Sequence, residues 1–339
     1  MFRSFVAAAL GAVAAICCLE AGAQSVVLYG LVDAAASRTR APGGIYRNQL
    51  DNGDMSRSFV GFRGVEDLGG GLKGVFRLES YLRVDTGQSG RSDADGFWGR
   101  DANVGLSGAF GMTVLGRNVT PLYQATTTFN PFGESFGFSP SARQYFGTSG
   151  AVVGDRSWNN SIAYTNSGID APLRINVAAN AAEEPAGAPA TGRNYGGSMA
   201  YLTGPFAVSL AIERIKNSAM PVPAGFHRQL AIQLGATYDF KFMRVYGQAG
   251  RVKTDATLDT RTVLYQIGAA VPIGTGLVLV SYGRAQASTP SSRITDRTSS
   301  IGYDYFLSKN TDIYIAALQE KTFMLSTGGS VAAGMRLRF

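Results

Sequence analysis

The chain has 339 residues and a formal net charge of +7; it is 45% hydrophobic but only 16% charged, with 43 glycines and 15 tyrosines. After the first two dozen residues no stretch approaches the 18 consecutive apolar residues that a membrane-spanning helix needs, so helical spans are excluded. The positive charge is spread without basic runs, which argues against nucleic acid and favours an anion pathway.

Residues 1–23 read as a cleaved export signal, with Arg3 at its start, an apolar run from Phe5 to Leu19, and Ala21-Gly22-Ala23 as the cleavage triplet. The mature chain is expected to begin at Gln24. Cys17 and Cys18 both fall within the signal, so neither thiol nor disulfide is expected afterwards.

From Gln24 onward, apolar-polar alternation runs in segments of about 9–12 residues, the length a tilted strand needs to cross a bilayer. Short connectors rich in turn residues include Asp67–Gly71, Gly108–Gly111, Ser167–Asp170, Thr203–Pro205, Asp239–Lys241, Ile273–Gly276 and Leu307–Asn310. Longer polar connectors lie near 38–55, 85–97, 119–155, 182–193, 217–227, 254–260, 288–294 and 322–328. Short turns alternating with long loops, and about 16 strands between them, predict an all-β fold: an antiparallel transmembrane β-barrel spanning residues 24–339. Closure removes the unpaired edges that lipid would not tolerate.

Alternation assigns the faces. In the last strand Val331, Ala333, Met335, Leu337 and Phe339 share one side, with Arg336 and Arg338 on the other. From residue 72, Leu72, Phe76, Leu78 and Leu82 oppose Lys73, Arg77, Glu79, Tyr81 and Arg83. An aliphatic side ending in Tyr or Phe near the turns suits a lipid face with an aromatic girdle. Arg57 and Arg63 fall on the same non-lipid side as Arg77 and Arg83, and Arg174 shares inward parity with Asn176 and Ala178. Enzymatic chemistry finds little support. The single histidine, His227, sits in a polar loop after Pro221 and Pro223, without the pairing that proton transfer requires. No metal-ligand cluster, CxxC or phosphate-cradling loop appears, and no cofactor is expected.

Several blocks resemble the trimeric general-diffusion porins of Gram-negative bacteria, in particular the neisserial/burkholderial branch. They are Ser25–Asp33, GFRGVEDLGGGLKGVFRLES at 61–80, WGRDANVGLSGAFGMTVLGRN at 98–118, Asn159–Tyr164, IGYDYFLSKNTDIY at 301–314, and the ending Gly334–Phe339. The resemblance implies 16 strands, a homotrimer in the outer membrane amid lipid and lipopolysaccharide, and a terminal Phe read by the barrel-assembly machinery. It also implies a third loop, here 119–155, folded inward to constrict a channel for small hydrophilic solutes. Within it Asn130–Phe136 is similar to the family's Pro-Glu-Phe-Gly motif, with the acid, Glu134, placed after the glycine. Arg117 matches the family's wall arginine before that loop. Phe59 stands where the family carries an arginine, and Arg57 substitutes further along the same face. Arg156 matches an inward arginine of the family, but strict alternation counted back from Tyr164 puts it on the lipid side, so it is left off the expected lining.

The expected pore lining is therefore Arg57, Arg63, Arg77, Arg83, Arg117 and Arg174 against Glu134. That excess of arginine predicts a weak preference for anions. A substrate-specific channel is the nearer alternative, although no aromatic track is evident; a barrel enzyme is the more distant one.

Overall fold

The computed structural model describes residues 25–166, 172–181, 193–216, 218 and 220–339. The expected signal, the turn at 167–170 and residues 182–192 of the fourth long connector lie outside the described residues. The first half of the chain forms β1 (Ser25–Arg40), β2 (Arg47–Asp51), β3 (Phe59–Gly69), β4 (Leu72–Arg83), β5 (Gln88–Ser89), β6 (Asp101–Gly108) and β7 (Gly111–Val119). Two helices follow, α1 (Pro121–Thr128) and α2 (Pro140–Phe146), and then β8 (Ser157–Thr165), β9 (Leu173–Asn180) and β10 (Tyr195–Thr203). The remaining strands are β11 (Phe206–Ile215), β12 (Arg228–Asp239), β13 (Arg244–Asp255), β14 (Thr260–Ile273), β15 (Gly276–Ser288), β16 (Arg293–Phe306), β17 (Thr311–Thr322) and β18 (Gly328–Arg338).

Every pairing is antiparallel, and the wall closes because β1 pairs with β3 on one side and β18 on the other. The ladders β2 and β5, of 5 and 2 residues, belong to loops, so sixteen strands make the ring. Leu31 sits opposite Phe59 on one side and Arg338 on the other. Gly30 and Phe339 exchange backbone hydrogen bonds of 3.0 and 3.2 Å, sealing the seam to the last residue. A Cβ on Gly30 would lie 2.7 Å from the Phe339 ring, which explains the glycine there.

Tight turns gather at one end, where Gly204 and Gly274 take φ of 62° and 60°. The long loops share the other end, which outer-membrane barrels turn outward. Several strands outrun the expected 9–12 residues: β1 has 16, β14 and β16 have 14. The ladders continue beyond hydrocarbon depth, so the connectors near 254–260, 288–294 and 322–328 shrink as strands absorb their ends.

The two faces follow the expected alternation. Leu234, Ile267, Ile301 and Ile315 are exposed on the outside, and Phe110, Tyr201, Phe206, Tyr238, Tyr305 and Phe339 form an aromatic belt near the short turns. One irregularity changes which side chains reach the interior. Between β7 and β8 the register slips: Gly116 opposes Ser161 while Asn118 opposes Trp158, with Asn160 at φ 48°. This bulge reverses the parity of every residue before Asn159 relative to strict alternation.

Inside, residues 120–156 pack against the inward faces of β10–β17. The helices start at Thr-Pro and Ser-Pro, where Thr120 and Ser139 cap the amides of Tyr123 and Ala142 at 3.3 and 3.2 Å. Leu122 and Tyr145 are buried among Ala211, Ala231, Val252, Leu264 and Ala285. Phe132 and Phe138 lie in a second cluster with Ala270, Leu279 and Tyr314. The wall is small where the segment sits. A Cβ at Gly235 would lie 2.7 Å from Phe129, and one at Gly250 would collide with the Tyr145 hydroxyl at 1.7 Å. We predict that Gly235→Leu with Gly250→Leu leaves the barrel folded by heat-modified gel migration but makes residues 120–156 sensitive to limited proteolysis. Unchanged resistance would contradict this seating.

Candidate functional site

With the segment against β10–β17, a cavity of about 440 Å³ remains between it and the opposite wall. Arg63, Arg77, Arg100, Asp101, Glu134 and Arg156 line it. The register that forms the wall also sorts its charges. Arg63 lies directly opposite Arg77, and Arg77 opposite Asn103; one step towards the loops, Gly61, Glu79 and Asp101 share a row with Tyr29. Arg77 pairs with Asp101 at 3.2 Å and keeps 46% of its side chain exposed. Arg63 stands over the Tyr29 ring at 5.0 Å, and the Tyr29 hydroxyl donates to Glu79.

The loop ends add the rest. Arg100 binds Glu79 at 2.8 Å and Glu134 at 3.3 Å, with its guanidinium 4.3 Å from the Phe59 ring centre. The residue found at the expected arginine position thus serves as a platform for another arginine. Arg57 and Arg156 both lie over the Phe136 ring, at 4.6 and 4.9 Å, and Arg156 also stands 4.9 Å over Tyr81. Such contacts contribute about 0.5–2 kcal/mol each. Among the described residues no carboxylate lies within ion-pair distance of Arg57 or Arg156, and burial, then the Arg156 charge, pull Arg57 down to about 10.

Of the expected lining, Arg63, Arg77 and Glu134 line this space, and Arg57 stands over the Phe136 ring without lining it. Arg83 is held at the loop end by Asp93 at 2.6 Å and the Ser89 carbonyl at 3.2 Å. Arg174 has inward parity beside Asn176 and Ala178, opposite Ala200. Arg117 does not join them. It occupies the outward row of Phe62, Leu78 and Ala102, where it donates to the Gly99 carbonyl at 2.8 Å, to Asn159 at 2.6 Å and to Asp155. Arg117 follows the outward parity of Leu115 on β7, whereas the bulge on β8 brings Arg156 in. Reasoning from the sequence missed Arg100 and Arg156; the Asn159-Asn160 pair, of a residue type that tolerates positive φ, was the available sign.

A sequence model described as the Gram-negative porin matches residues 5–322. The chain is 32% identical over 328 residues to outer membrane porin protein 32 of Delftia acidovorans, covering 92% of this chain and 90% of that one. The chain belongs to the Gram-negative porin family. It is 27% identical to an outer membrane porin protein of Bordetella pertussis, over 85% of this chain and 83% of that one. Among solved structures, the anion-selective porin from Comamonas acidovorans superposes with a TM-score of 0.78 at 28% identity, covering 93% of this porin and all of that chain. This protein is therefore an outer-membrane channel of a Gram-negative bacterium.

Asp155 organises the porin's loop ends, accepting from Arg91 at 2.6 and 3.0 Å and from Arg117. Burial opposes its charge, yet the Arg91 hydrogen bonds and the Arg91 and Arg117 charges draw it down to about 2. A depressed carboxylate stabilises above its ordinary value near 3.8, and that contribution is lost as pH falls towards 2. Asp155→Asn should cost about 3 kcal/mol at pH 7 by leaving Arg117 without a carboxylate and Arg91 with Asp95 alone. It should also flatten the acid-induced fall in the thermal midpoint between about pH 4 and 2.

Proposed function

We propose that this porin passes small hydrophilic solutes and inorganic ions without chemistry, with a weak preference for anions, and that residues 119–155 narrow the passage. One observation carries this reading: Arg57 and Arg156 stand over the Phe136 ring, beside the cavity, with no ion-pair partner among the described residues. Arg63, half-exposed Arg77 and Arg100 add positive charge, while Glu79, Asp101 and Glu134 offset part of it. Several cations against fewer carboxylates in a low-dielectric wall bias the passage moderately towards anions. Arg174 extends the positive lining towards the short turns, and Arg83 and Arg117 act as clamps on the loops. The anion selectivity named for the Comamonas relative supports the same sign. His227 is exposed in the loop before β12, its amide donating to the Asp255 carbonyl at 2.9 Å, and this reading assigns its imidazole no proton transfer.

In a KCl gradient across a planar bilayer the reversal potential should take the anion-selective sign. Arg57→Gln with Arg156→Gln should lower relative anion entry by about threefold per charge, on the order of one kT each. A cation-selective wild type would reject the charge assignment.

Assembly as a homotrimer belongs to the same reading. The outer wall is asymmetric: Phe62 on β3 meets Trp98 of the β5–β6 loop edge-on at 6.4 Å, and Phe97 beside it is 55% exposed. This aromatic patch suits a second copy of the chain. Reconstituted channels should close in three equal conductance steps; single-step closure would count against the trimer.

A further inference from the structure

Strand register sorts the inward face of the wall from β3 to β9 into bands. Val65 lies opposite Val75, Val75 opposite Gly105, and Gly105 opposite Val114. Val114 in turn lies opposite Ala163, and Ala163 opposite Ala178. This row crosses β3, β4, β6, β7, β8 and β9 without a polar side chain. The next inward row towards the loops begins with Arg63, Arg77 and Asn103. The next one towards the short turns holds Lys73, Ser107, Met112 and Thr165. An apolar band one residue deep therefore separates a cationic row from a mainly polar one.

Packing does not account for the band along its first strands. On β10–β17 the inward small and apolar residues are covered by residues 120–156. The row passes under that segment at its far end, where Ala178 joins the cluster of Leu122 and Trp158. At the near end Val65 stays 41% exposed, and Val75, Gly105 and Ala163 are half-buried. Val65, Val75, Val114 and Ala163 face the cavity of about 440 Å³, across which α1 presents Gln124 and Thr127. Hydrocarbon left against water in this way is free to be covered by a solute. The cations beside it are accessible too. Among the described residues no carboxylate lies within ion-pair distance of Arg63, which rests over Tyr29, and Arg77 keeps 46% of its side chain exposed beside Asp101.

We propose that Arg63 and Arg77, with Val65, Val75, Val114 and Ala163, form a binding site for monocarboxylates that carry a branched or aromatic hydrocarbon body. The site rests on the channel reading and deepens it, by naming a class of solute that the passage favours over hydrophilic anions of equal charge. Successive inward rows are about 7 Å apart along a strand. A carboxylate held at the guanidinium row therefore lays the ring or branched chain attached to it on the valines. The guanidiniums supply charge-assisted hydrogen bonds to any carboxylate, whatever its body. Covering about 60 Å² of apolar surface adds on the order of tenfold in affinity, and only an anion with a hydrocarbon body gains it. An anion with a second charge in that place would set it on hydrocarbon instead, at the cost of its hydration.

The test places refolded full-length protein in planar bilayers at pH 7 and reads the chloride current while benzoate, acetate or benzamide is added. In the wild type benzoate should reduce the current saturably, at a concentration about tenfold below that needed with acetate, and benzamide should leave it unchanged. Val65→Thr with Val75→Thr keeps the branched shape and should bring the two carboxylates to within about twofold of each other. Val114→Thr, on a separate strand, should narrow the gap in part and serves if the double variant does not refold. Arg63→Gln should weaken both carboxylates, and Arg63→Lys should keep the benzoate effect. Each ratio is taken within one variant, so a change in its conductance cancels. Equal action of benzoate and acetate on the wild type overturns the proposal, as does an undiminished ratio in the threonine variants. Benzamide acting as strongly as benzoate would remove the carboxylate from the assignment and overturn it too. All of these outcomes are read on a conducting channel. A wild type without chloride conductance would instead reject the channel reading, so the two fail separately.

Discussion

An amide that meets hydrocarbon without a partner costs several kcal/mol, and a chain with no membrane helix can avoid that cost only by joining the ends of its sheet. Here the join is β1, whose first half serves β3 and whose second half serves β18. The remaining organisation follows from that closed ring. Once every backbone group is committed to the wall, side chains have only two destinations, and a period of two decides between them. Aliphatic residues take the lipid side, so charge, amide and glycine are left for the interior. The same constraint explains why the seam ends on an aromatic residue. The Phe339 backbone closes the last hydrogen bonds with Gly30, and its ring covers the space that the glycine leaves open.

Because the faces depend on parity, a single extra residue exchanges inside and outside. Alternation counted from Leu72 placed Arg77, Glu79 and Tyr81 on the inner side of β4 correctly, since no bulge interrupts that stretch. The same counting failed along β8. Asn160 takes a left-handed conformation, two residues of β8 share one position of β7, and Arg156 reaches the inner side that simple alternation denies it, while Arg117 keeps the outward parity of Leu115. The ring, the turns and the aromatic belt were legible because they are written in local periodicity and turn chemistry. A bulge changes one hydrogen bond and leaves only a permissive residue pair as its mark.

The seating of residues 120–156 was harder to read for a different reason. Gly235, Gly250, Gly268, Gly283 and Gly302 look in sequence like weaknesses in five separate strands. Their meaning lies in Phe129, Tyr145, Pro131, Pro140 and Phe132, which occupy the space where their side chains would be. Complementarity between residues more than a hundred positions apart carries no periodic signature. The Thr-Pro and Ser-Pro helix starts were visible as local chemistry, but they say where a helix begins and nothing about which wall it lies against.

The two sides of the wall treat positive charge differently, and physical chemistry separates their consequences. Inside, Arg100 is fixed by Glu79 and Glu134, Arg77 by Asp101, and Arg57 and Arg156 by aromatic faces. An aromatic face holds a guanidinium in place without cancelling its charge, which a carboxylate would do. Charge can then be both fixed and available to a passing ion. Outside, Arg284, Arg297 and Lys321 are placed by strand register, with neither a ring nor a carboxylate among the described residues to hold them. An inner wall that retains its cations and an outer rim that lacks counter-charge can both arise from one period-two pattern, because the pattern fixes which side a residue faces and leaves open what it meets there.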